Sequence, residues 1–119
     1  MKKTTLLLLL MAIMPIVAAG QAAKKFPDDL KTAVFTTKYV VDQKKVITYV
    51  SHDAEDGAWQ FLSDEVIEDY VTVARVISLG EVIKMDPTLL ELADLPLGYF
   101  AERKSKKDKW VIAKQEPQE

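Results

Sequence analysis

The stretch Arg75-Val76-Ile77-Ser78-Leu79-Gly80-Glu81-Val82-Ile83-Lys84-Met85-Asp86-Pro87-Thr88-Leu89-Leu90 decides the fold, because a strand pattern gives way to a helical one inside it. Val71 to Ile77 is rich in β-branched residues and reads as a strand, with Arg75 interrupting its apolar side. Ser78 and Glu81 then have the spacing of a capping box: the serine hydroxyl takes the N3 amide while the glutamate reaches back to the cap. Leu79, Val82 and Ile83 supply the i, i+3, i+4 face of a short helix. Asp86-Pro87 opens a second helix, since aspartate caps free amides and proline is tolerated at the first helical position. Leu89, Leu90, Leu92, Ala93 and Leu95 give that helix a buried stripe, and Pro96 and Gly98 end it.

Strand signals lie on both sides of this helical pair. Upstream, Ala33–Thr37 and Tyr39–Val41 read as an opening strand, followed by the polar turn Asp42-Gln43-Lys44. Lys45 to Ser51 is a strong strand, expected at the centre of a sheet. Asp53-Ala54-Glu55-Asp56-Gly57 is a hairpin turn, and Trp59–Leu62 the returning strand, with Trp59 and Phe61 on one face and Gln60 on the other. Ser63–Tyr70 is a polar loop or a single helical turn. Downstream, Tyr99–Arg103 and Trp110–Ala113 form a closing hairpin around the tip Lys104–Lys109, and Gln115–Glu119 is a polar tail. Elements of one type come in runs instead of alternating, which predicts an α+β domain over residues 32–114. Its mainly antiparallel sheet would carry two short helices packed on one face.

The N-terminal end reads as an address. Lys2 and Lys3 precede the apolar run Thr4–Val17, and Ala18, Ala19 and Gly20 supply the small residues of a cleavage site. The run is shorter than the ~20 residues a membrane-crossing helix needs. Residues 1–20 are therefore expected to be a signal peptide, and 21–31 a flexible lead-in to an exported, periplasmic or secreted domain without stable membrane insertion. That segment takes two of the 16 Lys+Arg and none of the 18 Asp+Glu, leaving 99 residues with a formal charge of −4. A mildly acidic domain argues against nucleic acid, whose recognition rests on a basic surface. The chain has no cysteine, which rules out disulfide staples, thiol nucleophiles and thiolate metal sites; no cofactor is expected.

Each candidate site has a plain explanation. His52, the single histidine, could act as a general base oriented by Asp53 or Asp56, yet no nucleophile motif accompanies it. Asp53, Glu55, Asp56 and Asp64 could offer oxygen ligands to Ca²⁺, but their spacing misses the EF-hand pattern. Lys104, Lys106, Lys107 and Lys109 fit a charged tip that keeps a sheet edge soluble. Trp59 and Trp110 are expected in the core, with their indole N–H groups satisfied by backbone carbonyls.

Four blocks taken in order carry a resemblance: Asp56-Gly57-Ala58-Trp59-Gln60-Phe61, Arg75 to Ile83, Asp86-Pro87-Thr88-Leu89, and Asp94-Leu95-Pro96-Leu97-Gly98-Tyr99-Phe100-Ala101-Glu102-Arg103. They resemble a family of small bacterial domains of unknown function with an Asp-Gly-Trp signature, some members of which have been proposed as toxin immunity proteins. Ser63-Asp64-Glu65 stands where the family often has Gly-Asp-Glu. The resemblance implies a compact α+β domain, no catalytic residues and a protein partner; many relatives lack a signal peptide. The expectation is a non-enzymatic, immunity-like or inhibitor-like module, with His52, Asp53, Asp56, Trp59, Arg75 and Arg103 as its binding residues. Two alternatives stand beside it. One is a small-ligand pocket between sheet and helices lined by Tyr49, Trp59 and Leu90; the other is a small hydrolase using His52 with Asp53 or Asp56.

Overall fold

The computed structural model describes residues 24–116. The expected signal peptide and its cleavage site lie outside the described residues, as do the first positions of the lead-in and the last three of the tail.

Strand β1, Ala33–Thr37, buries Val34 and Thr36 and exposes Ala33 and Phe35, the two-residue alternation of a pleated strand. The chain does not stay extended after it. Lys38–Val41 forms a helical turn, α1, where the sequence predicts more strand. The antiparallel ladder of β1 ends at Thr37↔Ala74, so residues 39–41 have no strand to pair with, and the turn drives Val40 into the core. Strand β2, Tyr49–His52, is shorter than the expected Lys45–Ser51, although Thr48 still bonds to Leu62 and Arg103 on either side. The hairpin closes through Asp53 N–H to the Ala58 carbonyl at 2.8 Å, with Gly57 at φ +72°, a left-handed value suited to glycine. Strand β3, Trp59–Leu62, follows as expected.

The expected strand at Val71–Ile77 is half helical: Tyr70–Val73 is a single turn, α2, and the strand β4 runs Ala74–Ser78. Both halves of the Ser78/Glu81 capping box are present at the start of α3, Leu79–Met85. The Asp86-Pro87 element is a 3-10 helix, Pro87–Leu92, in place of the expected α-helix. Its bonds run from Leu89 N–H to Asp86 and from Ala93 N–H to Leu90, and the same step takes Leu95 N–H to Leu92. With Pro96 ahead, the tighter winding suits so short a piece. Strands β5, Tyr99–Glu102, and β6, Val111–Lys114, close the domain.

The six strands lie in the order β4-β1-β3-β2-β5-β6. The sheet is mostly antiparallel with one parallel pair, β1 beside β3, in register Phe35↔Gln60. Strand β2 is central, as expected. One face presents Val34, Val50, Trp59, Phe61 and Ala101, which bury against Leu79 and Val82 of α3 and Leu89 and Leu92 of the 3-10 helix. Phe26, in the expected flexible lead-in, also joins this core, edge-on to Trp59 with ring centroids 5.0 Å apart. Among the described residues, α3 and the 3-10 helix cover this one face, while Tyr70 of α2 reaches the other, where its hydroxyl meets Gln60.

Candidate functional site

Register fixes what that second face carries. Alternation from the pairs Ser51↔Gln60, Ser51↔Phe100, Tyr49↔Leu62 and Tyr49↔Glu102 places these six side chains together on the side away from the core. All of them but Phe100 line an open concavity of about 1190 Å³, walled by the Asp53–Asp56 turn, the Ser63–Glu65 segment and the chain around Gln115. Seven of the residues lining it are acidic and three basic, so its potential is negative. Asp53 organises one end: its carboxylate accepts from Gln60 Nε2 at 2.7 Å and from Gln115 Nε2 at 3.2 Å. The Tyr70 hydroxyl adds a long bond to Gln60 Oε1 at 3.4 Å. Tyr49 stacks on Phe100 with centroids 5.5 Å apart. Burial holds the Tyr49 phenol above its ordinary range, and the charges of Asp53 and Glu102 add to this, while a hydrogen bond with Gln115 opposes it. Tyr70 is raised as well, by burial first and then by Asp53.

The residues expected to bind do not all come together. His52 points to the core face, stacks on Trp59 at 3.9 Å and sets Nδ1 2.8 Å from the Leu95 carbonyl. That contact requires Nδ1 to be the protonated, donating nitrogen. Asp53 reaches its amide partners on the open face, and Asp56 turns back to accept from the Ala58 N–H at 2.9 Å. The strand therefore sends the histidine and the carboxylate of the hydrolase alternative to opposite sides of the sheet. Trp59 is 1% exposed and offers no surface. The Arg75 guanidinium bonds the Ala74 carbonyl and lies 3.6 Å from Asp42, at the β4 edge. Tyr49 belongs to the open face and Trp59 and Leu90 to the core side, so the three do not line one pocket. Among the described residues no group of three or more His, Cys, Asp or Glu side chains is placed to hold a metal.

Arg103, expected among the binding residues, is held inside the domain. Its side chain is 1% exposed and bonds Asp86 Oδ2 at 2.7 Å. It also donates to the Ile47 carbonyl through Nε and Nη2, and to Thr88 Oγ1, under the ring of Trp110 at 4.0 Å. It ties β5, the 3-10 helix and the segment before β2 together, and that role is structural. The indole nitrogens also differ from expectation: Trp59 Nε1 and Trp110 Nε1 are buried without a hydrogen-bond partner. Trp59 spends its surface on His52, Phe61 and Phe26.

Ser51, Gln60, Glu102 and Gln115 were not readable as site residues, being ordinary polar residues far apart in sequence. The one signal was the alternation at Trp59–Leu62, which sends Gln60 away from the core.

Fold and face together define a small α+β domain with one closed sheet face and one open, acid-lined one. The chain belongs to the Imm33 family of immunity proteins: the family model described as "Immunity protein Imm33 domain" matches residues 34–114, from β1 to the end of β6. No curated protein and no solved structure matches it.

Proposed function

We propose that this chain is an exported immunity protein that neutralises a toxin by binding it, without chemistry of its own. The observation that carries this reading is the family match, which spans all six strands. The site supports it: Gln60 and Gln115 of the open face are hydrogen-bonded to Asp53, and the histidine is turned into the core side. Export is supported by the basic pair, apolar run and small-residue site at residues 2–20. The partner is then a protein met outside the cytoplasm, bound through the Asp53–Asp56 turn and the strands beside it.

The test is co-expression with candidate toxins, taken first from any toxin-like gene found beside the one for this chain, both proteins directed to the periplasm. Cells making both should survive, and the two proteins should co-purify. Killing unaffected by this chain refutes the reading. Mass spectrometry of the exported product should find a chain beginning near Gln21; an intact Met1 removes the export part.

A further inference from the structure

Resting on that reading, we infer that the open sheet face is the recognition surface and that its occupant is a cationic segment of the partner, an Arg- or Lys-bearing stretch seated between Asp53 and Glu102 over Ser51. Three observations point the same way.

The first is uncompensated charge. Of the seven acidic residues lining the concavity, only Glu65 has an ion-pair partner among the described residues, Lys45 at 3.4 Å. Asp53 has only neutral amide partners, and the one lining arginine, Arg103, is already committed to Asp86. Lys104 and Lys114 also line the concavity, but neither has an ion-pair partner among the described residues. Seven carboxylates against three cations leave a net negative face that something positive would relieve.

The second is Ser51. Four buried side-chain polar atoms among the described residues lack a hydrogen-bond partner, and Ser51 Oγ is the one that belongs to a residue lining the concavity. The side chain is 1% exposed at the middle of the floor, between Gln60 and Phe100. A buried hydroxyl without a partner opposes folding. A guanidinium or ammonium donor arriving at the floor supplies the missing bond.

The third is the aromatic pair. Tyr49 stacked on Phe100 puts a π surface beside the carboxylates, and such a surface attracts cations, guanidinium above all. Glu102 is the cross-strand partner of Tyr49, and Asp53 follows two positions past Ser51 on the same face, so carboxylates flank the aromatic and the hydroxyl from both ends. Carboxylate, aromatic face and unpaired hydroxyl together select for a cation carried on an apolar stem; a bare metal ion would use only the first.

The experiment is NMR titration of the ¹⁵N-labelled protein with an arginine-rich peptide of about ten residues, against a control with glutamine for each arginine. Amide shifts should centre on Tyr49, Ser51, Gln60 and Glu102, and the control peptide should produce none. In the double variant Asp53→Asn, Glu102→Gln affinity should fall about tenfold, as for a desolvated charge contact. Ser51→Ala should weaken binding about threefold while the melting temperature holds or rises, a combination a purely structural residue would not give. Shifts scattered over the surface or centred on Lys104–Lys109, affinity unchanged in the variants, or no binding each overturn the inference. None of these outcomes touches toxin protection, so an immunity protein docking by another face would still survive its own test.

Discussion

Asp86 does two jobs with one carboxylate. Oδ1 accepts from the Thr88 amide and hydroxyl at the start of the 3-10 helix, and Oδ2 accepts from Arg103 at 2.7 Å. Burial by itself would raise its pKa, but the hydrogen bonds of Thr88 and Arg103 outweigh burial and hold it below the usual carboxylate range. Removing it leaves a guanidinium that is 1% exposed with no counter-charge, so Asp86→Ala should cost about 3–5 kcal/mol in urea unfolding. The pH dependence follows in sign. A carboxyl with a depressed folded pKa adds stability that is full above its unfolded value of about 3.9 and is lost as pH falls through the folded value. Unfolding measured from pH 6 downward should therefore show a steeper acid limb in the native protein than in Asp86→Asn. An identical limb would mean the ion pair contributes nothing. The Asp-Pro step announces the cap in sequence; the ion pair is silent, because Arg103 stands 17 residues away at a strand end beside a lysine-rich tip, and nothing local links it to Asp86.

At the scale of elements, local chemistry and the two hairpins were legible, and pairing between strands distant in sequence was not. The Ser78/Glu81 box starts a helix of seven residues, too short to stand alone, so its cap should matter. Ser78→Ala should cost about 1 kcal/mol, lowering the melting temperature by roughly 4–8 °C in a domain this size. Trp59–Leu62 and Tyr99–Glu102 announce themselves by alternation and flanking turns. Tyr39–Val41 and Val71–Val73 misled for one reason: β-branched residues favour strands, but a strand needs a neighbour, and the β1–β4 ladder ends at Thr37↔Ala74, between these two segments. The open face was hidden more deeply, since Asp53, Gln60 and Gln115 meet only after β2, β3 and the chain beyond β6 are placed. Strand β6 shows what an edge costs. All four of its residues are exposed and it pairs with β5 alone. Its amides should exchange with solvent by local opening well before those of β2 and β3, as hydrogen exchange by NMR would show. Equal protection in β6 and β2 would mean that the sheet opens only as a unit.

Across the whole molecule, the proposed recognition surface and the core lie on opposite sides of one sheet. The side with Trp59, Phe61 and the leucines carries the stability of a domain without disulfides, and the other side is left free for a polar, negative surface. Such a division makes a kinetic forecast for a complex with the proposed toxin partner. Exposed charges act at long range, and their influence is cut once the screening length falls from about 14 Å to a few ångströms between dilute and near-molar salt. Steering by the acidic face should thus raise the association rate at low ionic strength, while contacts buried after docking set the dissociation rate. In stopped-flow mixing, association should slow about tenfold between 50 and 500 mM NaCl, with dissociation changing far less. Neutralising Asp53 and Glu102 should flatten that slope, whereas neutralising Asp94, exposed and paired with Lys24 away from the concavity, should leave it intact. A salt slope unmoved by Asp53→Asn with Glu102→Gln would place the steering charges on another surface.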